Sequence, residues 1–252
     1  MLEVPSWRRG LSLLTPFALC AAFFAAAADE LWLVALFCTM ALSFVTYGSI
    51  SHDLVHRTLR LPRLTNDVLL CTIELLTLRS GHAYQFTHLF HHAHFPADDE
   101  PEGAAARMPW WRALLNGVVL QPQLYLHALR KSERNRGWII GEGVAVVLLL
   151  IAAIASLPWT PAPAVYAALM IMGAWIFPFV TVYIPHNASG TTALSQTRLF
   201  RGRLLSLIAF EHLYHLEHHL YPQIPHHNWS KLARKLDPYF ESEGVTPIRL
   251  MF

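Results

Sequence analysis

Apolar positions in this chain come in blocks too long for a soluble helix. Four runs are apolar almost throughout: Leu11 to Ala28, Leu31 to Ile50, Trp138 to Leu157 and Pro163 to Pro185. At about 1.5 Å rise, about 20 residues cover the ~30 Å hydrocarbon core of a bilayer. The pattern therefore predicts four transmembrane helices. Little more than Asp29-Glu30 joins the first pair, and Pro158-Trp159-Thr160-Pro161 joins the second. Connectors so short are hairpin tips. The 19 Lys and Arg all avoid these tips and gather in the N-terminal tail, in the segment 57–137 and after residue 186. By the positive-inside rule, both termini and the middle segment face the cytoplasm. The expected fold is all-α: one membrane-embedded domain over residues 1–252, built from two helical hairpins, interfacial helices and a cytoplasmic histidine-rich cap.

Shorter mixed segments fill the gaps. Thr65-Asn66-Asp67 offers an N-cap for an apolar run, Val68 to Leu78, that Gly81 closes. That run is too short to span and reads as a surface-lying or re-entrant helix. Residues 112–130, flanked by Trp110, Trp111 and Tyr125, read similarly, since Trp and Tyr favour the interface. Leu199 to Tyr214 is expected to form another interfacial helix. Glu142, the one acid in the four runs, is expected to snorkel at the interface. The acidic run Asp98-Asp99-Glu100, with Glu102, is expected to be a solvated loop or a docking patch for a basic electron donor.

Composition sharpens this picture. The chain is 54% apolar and 14% charged, against about 25% charged in a soluble domain. With a net charge of only +2, a nucleic-acid partner is not expected. Cys20, Cys38 and Cys71 lie in or beside apolar runs without C-x-x-C spacing, so they read as packing thiols. The anomaly is histidine, 15 residues against 17 Asp and Glu. Imidazole near lipid is costly unless it binds something.

Eight histidines fall in three clusters. His52 and His56 form H-D-L-V-H after the second run; His88, His91 and His92 form H-L-F-H-H; His215, His218 and His219 form H-L-E-H-H. On a helix, i, i+3 and i+4 share a face, so each cluster aims its imidazoles one way. Imidazoles packed without a metal would repel on protonation. Eight overfill a four-coordinate zinc site, and two metal ions fit better. H-E-x-x-H is absent, which speaks against a zinc-dependent intramembrane protease. The spans hold no histidine before His186, which speaks against a metal carrier.

H-D-L-V-H, H-L-F-H-H and H-L-E-H-H resemble, in order, the three histidine boxes of the membrane fatty-acid desaturase superfamily, which includes acyl desaturases and hydroxylases and carotenoid ketolases and hydroxylases. The resemblance covers residues 30–240, and the run from His215 through Leu220-Tyr221-Pro222 to Asn228 looks like the last box of acyl-lipid desaturases. It implies two iron ions held mainly by histidine, with O2 as cosubstrate and a lipid as substrate. It also implies a ninth ligand from the cytoplasmic end of the last span, where Tyr183-Ile184-Pro185-His186-Asn187 supplies His186. Asp53 and Glu217 are candidates to orient ligand imidazoles. His212 is a further candidate beside the metals, while His82, His94, His127, His226 and His227 are expected to be structural. The chain carries no G-x-G-x-x-G and no haem motif, so the resemblance implies an external donor, a ferredoxin or a cytochrome. An acyl desaturase is the first expectation and a carotenoid ring ketolase or hydroxylase the second.

Overall fold

A computed structural model describes residues 1–202 and 212–250. The four apolar runs are helices α1 (Ser6–Ala28), α2 (Trp32–Val55), α6 (Arg136–Ala155) and α7 (Ala162–Tyr183), each long and apolar enough to cross a bilayer. Between them lie α3 (Arg63–Leu76), α4 (Gly81–His94) and α5 (Trp110–Lys131). After α7 come α8 (His215–Leu220) and α9 (Trp229–Ser242). Two two-residue strands, β1 (Phe200–Arg201) and β2 (Ile248–Arg249), pair in parallel. The chain is an all-α integral membrane protein.

The two hairpins pack through one apolar cluster in which Phe23 and Ala26 of α1, Leu42 of α2 and Met170 of α7 are buried. The Tyr166 hydroxyl donates to the Leu76 carbonyl at 2.6 Å, tying α7 to α3. The opposite faces stay bare: Val144, Leu148, Ile151 and Ile154 of α6 are exposed, as a helix in lipid requires. The cap has its own core, where Trp229, Leu232 and Ala233 of α9 pack on Phe200 and Ile224.

α2 carries a π-helical turn at Thr46–Ile50, and α7 ends in one at Pro178–Tyr183. Each π turn inserts one residue into the helical phase. They stand directly before His52 and His186.

Four local expectations are corrected. The helix after residue 62 begins at Arg63 behind Pro62, not at a Thr65-Asn66-Asp67 cap. Asn66 instead donates to the Leu54 carbonyl at 2.9 Å, and Asp67 accepts from Arg57 at 2.7 Å. Gly81 opens α4 rather than closing α3. Glu142 does not snorkel. It is buried and accepts from Ser80 Oγ (2.6 Å), the His82 backbone N–H (3.0 Å) and His82 Nδ1 (2.6 Å). The carboxyl oxygens inside a span are thus satisfied by the donors at the N-terminus of α4. Of the segment expected as an interfacial helix, Phe200–Arg201 is strand, and residues 203–211 lie outside the described residues.

Candidate metal centre

The histidines converge in two adjacent groups. His52, His56, His88, His92 and His218 bring one ring nitrogen each within 4.8 Å of one another, as do His91, His186, His215 and His219. The boxes do not map one to one onto these groups. On α4, His88 and His92 (i, i+4) serve the first group and His91 serves the second. On α8, His215 and His219 serve the second and His218 the first. One helix turn therefore splits its imidazoles between two sites, and the rings of His92 and His219 are 4.4 Å apart between centroids. Sharing two helices holds the groups side by side.

Hydrogen bonding alone does not account for the second group. His186 Nδ1 lies 2.9 Å from the Val182 carbonyl, so Nδ1 carries the proton and Nε2 presents a single lone pair. That Nε2 faces His91 Nε2 at 2.9 Å, His215 Nε2 at 3.1 Å and His219 Nε2 at 3.2 Å. One lone pair does not accept three in-line donors, whereas a cation between the nitrogens satisfies all four. The first group repeats the pattern: His52 Nε2 lies 3.0 Å from both His88 Nε2 and His218 Nε2, and His92 Nε2 lies 3.1 and 2.8 Å from the same two. His56 Nε2 is buried and has no hydrogen-bond partner among the described residues. An all-imidazole donor set suits first-row transition metals such as iron.

Burial keeps the rings neutral, the form that ligates. It lowers His88 and His186 to about 3 and His92, with help from His88, to about 2. His91, His215, His218 and His219 are pushed down by burial first and neighbouring imidazoles second.

The acidic run after the second box is not a solvated loop throughout. Glu100 and Glu102 are buried. Glu102 Oε1 meets His88 Nδ1 at 2.7 Å and Glu100 Oε2 meets His91 Nδ1 at 3.0 Å, one carboxyl for each group. Glu100 also accepts from the backbone N–H of Glu102 and of Gly103, both at 2.6 Å. A side chain at Gly103 would strike that carboxyl and Phe95. Without a dication beside them, burial raises both carboxyls to about 8. Asp98 and Asp99 stay outside, near Arg107 and Lys131. Sequence reading missed the two glutamates because an acid in a polar loop looks solvated. The available signal was their short distance from the box and the rigid Glu-Pro-Glu-Gly run.

The other acidic candidates have different partners. Asp53 does accept a ring N–H, but from His226 Nδ1 (2.7 Å), outside both groups, together with the His226 backbone N–H at 3.0 Å. This ties the segment before α9 to the first box, where Trp229 stacks edge-on to His52 at 5.3 Å. Glu217 pairs with Arg201 at 2.6 Å rather than with a ligand imidazole. His212 is in neither group. Its ring packs where a Gly48 side chain would be, and it lines a cleft of about 30 Å³ beside His52, His88, His91, His186 and His215. Burial, then His226, lowers it to about 4. His82 is structural, held by Glu142; His227 meets Ser12 Oγ at 2.8 Å; exposed His94 meets the Phe90 carbonyl at 2.9 Å; and His127 is half-buried beside Phe90.

Fold and site together define an integral membrane protein of helical hairpins carrying a histidine-lined pocket compatible with metal. The sequence model of the fatty acid desaturase family matches residues 30–249, so the chain belongs to that family. Membership makes it an oxidoreductase of lipids. No curated protein matches the chain.

Proposed function

We propose that this protein is an O2-dependent acyl desaturase that uses two iron ions to introduce a C=C bond into a membrane-lipid chain. The observation that carries the reading is the two-way convergence of nine imidazole nitrogens, with the His186 lone pair facing three others at 2.9–3.2 Å. His52, His56, His88, His92 and His218 hold one iron, and His91, His186, His215 and His219 the other. When bound, the irons supply the O2 chemistry that removes hydrogen from an unactivated C–H bond. The chain supplies the geometry. Glu102, Glu100 and the Val182 carbonyl fix the Nδ1 edges of His88, His91 and His186, so that their Nε2 edges point inward. The neighbouring cleft of about 30 Å³ has room for a molecule of about the size of water and for nothing as large as a lipid headgroup. Electrons come from an external donor of ferredoxin or cytochrome type. Both termini and the histidine boxes face the cytoplasm, and residues 1–252 act as one membrane-embedded domain.

The test is metal analysis of the purified chain, then donor-supported turnover on membrane extracts with mass analysis of products. Two irons per chain and new unsaturation are expected. Oxygenated carotenoids would replace desaturation with ring ketolation or hydroxylation. Zinc in place of iron, or turnover without a donor, would overturn the reading.

A further inference from the structure

The imidazoles of the two groups are not all held alike. His88, His91 and His186 each give Nδ1 to an oxygen: Glu102 at 2.7 Å, Glu100 at 3.0 Å and the Val182 carbonyl at 2.9 Å. His52 and His218 do not. Their Nε2 atoms face each other at 3.0 Å within the first group, while both Nδ1 atoms are buried and have no hydrogen-bond partner among the described residues. A neutral imidazole that ligates through Nε2 carries its proton on Nδ1. Two buried N–H groups therefore need an acceptor, and leaving them without one costs free energy.

Among the described residues, the ring outside both groups that meets His52 and His218 together is Trp229. Its centroid stands 5.3 Å from that of His52, with 83° between the planes, and 5.0 Å from that of His218, with 40°. The indole is buried and pinned, since its Nε1–H donates to the Ile224 carbonyl at 2.9 Å. That bond spends its one polar hydrogen. What the indole offers the imidazoles is its π face, the negative side of the ring quadrupole. A second tie sets the approach. Asp53, next to His52, accepts from the backbone N–H and from Nδ1 of His226 at 3.0 and 2.7 Å. This holds the start of α9, whose first residue is Trp229, against the first box.

We propose that Trp229 is a positioning residue for the first metal group: its π face accepts the Nδ1 hydrogens of His52 and His218 and so keeps their Nε2 atoms aimed at the ion. This rests on the metal reading of the site, because an ion at Nε2 is what keeps the proton on Nδ1. A contact of N–H with a π face is weaker than one with an oxygen. In the first group it stands where Glu100 and the Val182 carbonyl stand in the second.

The test loads full-length protein in detergent with zinc, added as a diamagnetic probe, and reads the imidazole N–H protons by proton–nitrogen NMR. A proton over an aromatic face resonates upfield, whereas one held by a carboxylate moves downfield. In the wild type, two imidazole N–H signals should lie well upfield of those of His88 and His91, and both should move in Trp229→Phe. Site-specific incorporation of pentafluorophenylalanine in place of Trp229 then gives a ring of nearly the size of phenylalanine with the opposite quadrupole. Zinc titration against a chelating dye should show Trp229→Phe keeping most of the affinity. The fluorinated ring should weaken one of the two zinc ions about tenfold, the scale of losing a group that orients a ligand, and leave the other unchanged. Equal zinc affinity with the two rings would overturn the proposal, as would equal weakening of both ions. So would wild-type spectra without an upfield pair, the result expected if water is the acceptor. Wild-type protein that takes up no zinc would refute the metal reading itself, and it shows as missing metal rather than as unshifted protons.

Discussion

Nε2 of His91 lies 2.9 Å from Nε2 of His186, although 95 residues separate them and one sits on a cap helix while the other follows a membrane span. His186 spends its ring proton on the Val182 carbonyl and His91 spends its own on Glu100, so neither Nε2 has a hydrogen to place between them. His186→Ala should therefore empty the second group first, lowering iron per chain by about half while leaving the protein folded in the membrane. Iron analysis beside a thermal melt checks this. An unchanged iron content would remove His186 from the centre.

His92 stands between the groups and should be less replaceable. His92→Ala should abolish turnover and lower iron while leaving membrane insertion intact. His226→Ala and His227→Ala, outside both groups, should keep most of the iron. Parallel iron assays on the three variants give the comparison.

The carboxyls of Glu100 and Glu102 orient His91 and His88. Glu100→Ala and Glu102→Ala should each weaken iron binding about 10- to 100-fold, the usual cost of losing a group that orients a ligand. Gln in place of Glu should recover part, since it still accepts a ring N–H. Iron titration of the apoprotein separates the variants. Because burial holds both acids near 8, an arriving dication should displace their protons. Metal loading at pH 7 should release protons, visible as a buffer-dependent heat in titration calorimetry.

Acid should destabilise the metal-free fold. An unfolded histidine takes up its proton near 6.5, while folded His88 and His186 resist to about 3 and His92 to about 2. Between those limits the unfolded chain binds more protons, so stability is lost as pH falls below about 6.5. Glu100 and Glu102 act in the opposite sense, losing stability as pH rises from about 4.5 to 8, but they are two groups against many imidazoles. The midpoint of thermal unfolding of apoprotein should drop between pH 7 and pH 5, and bound iron should resist that drop.

Glu142 anchors α4 from within a span. Glu142→Ala strips the partners from Ser80 Oγ and from both His82 donors and should cost about 3 kcal/mol. Glu142→Gln should cost less. Denaturation in mild detergent, read by helical signal, gives the ranking.

Four apolar runs set the membrane spans because their length and lack of charge leave the backbone no alternative in lipid. Histidine spacing determined which side chains share a helix face, and the family resemblance placed His186 beside them. Local pattern did not determine the rest. Whether His91 joins His88 or His186 depends on where α7 ends, and a π turn sets that end. Asp53 meets His226 across 173 residues, and Glu142 meets His82 across 60. Glu100 and Glu102 look like loop acids until the fold removes their water. Hydropathy and helical phase act over a few turns, whereas the solvation and partners of a polar group depend on what the tertiary structure lays against it.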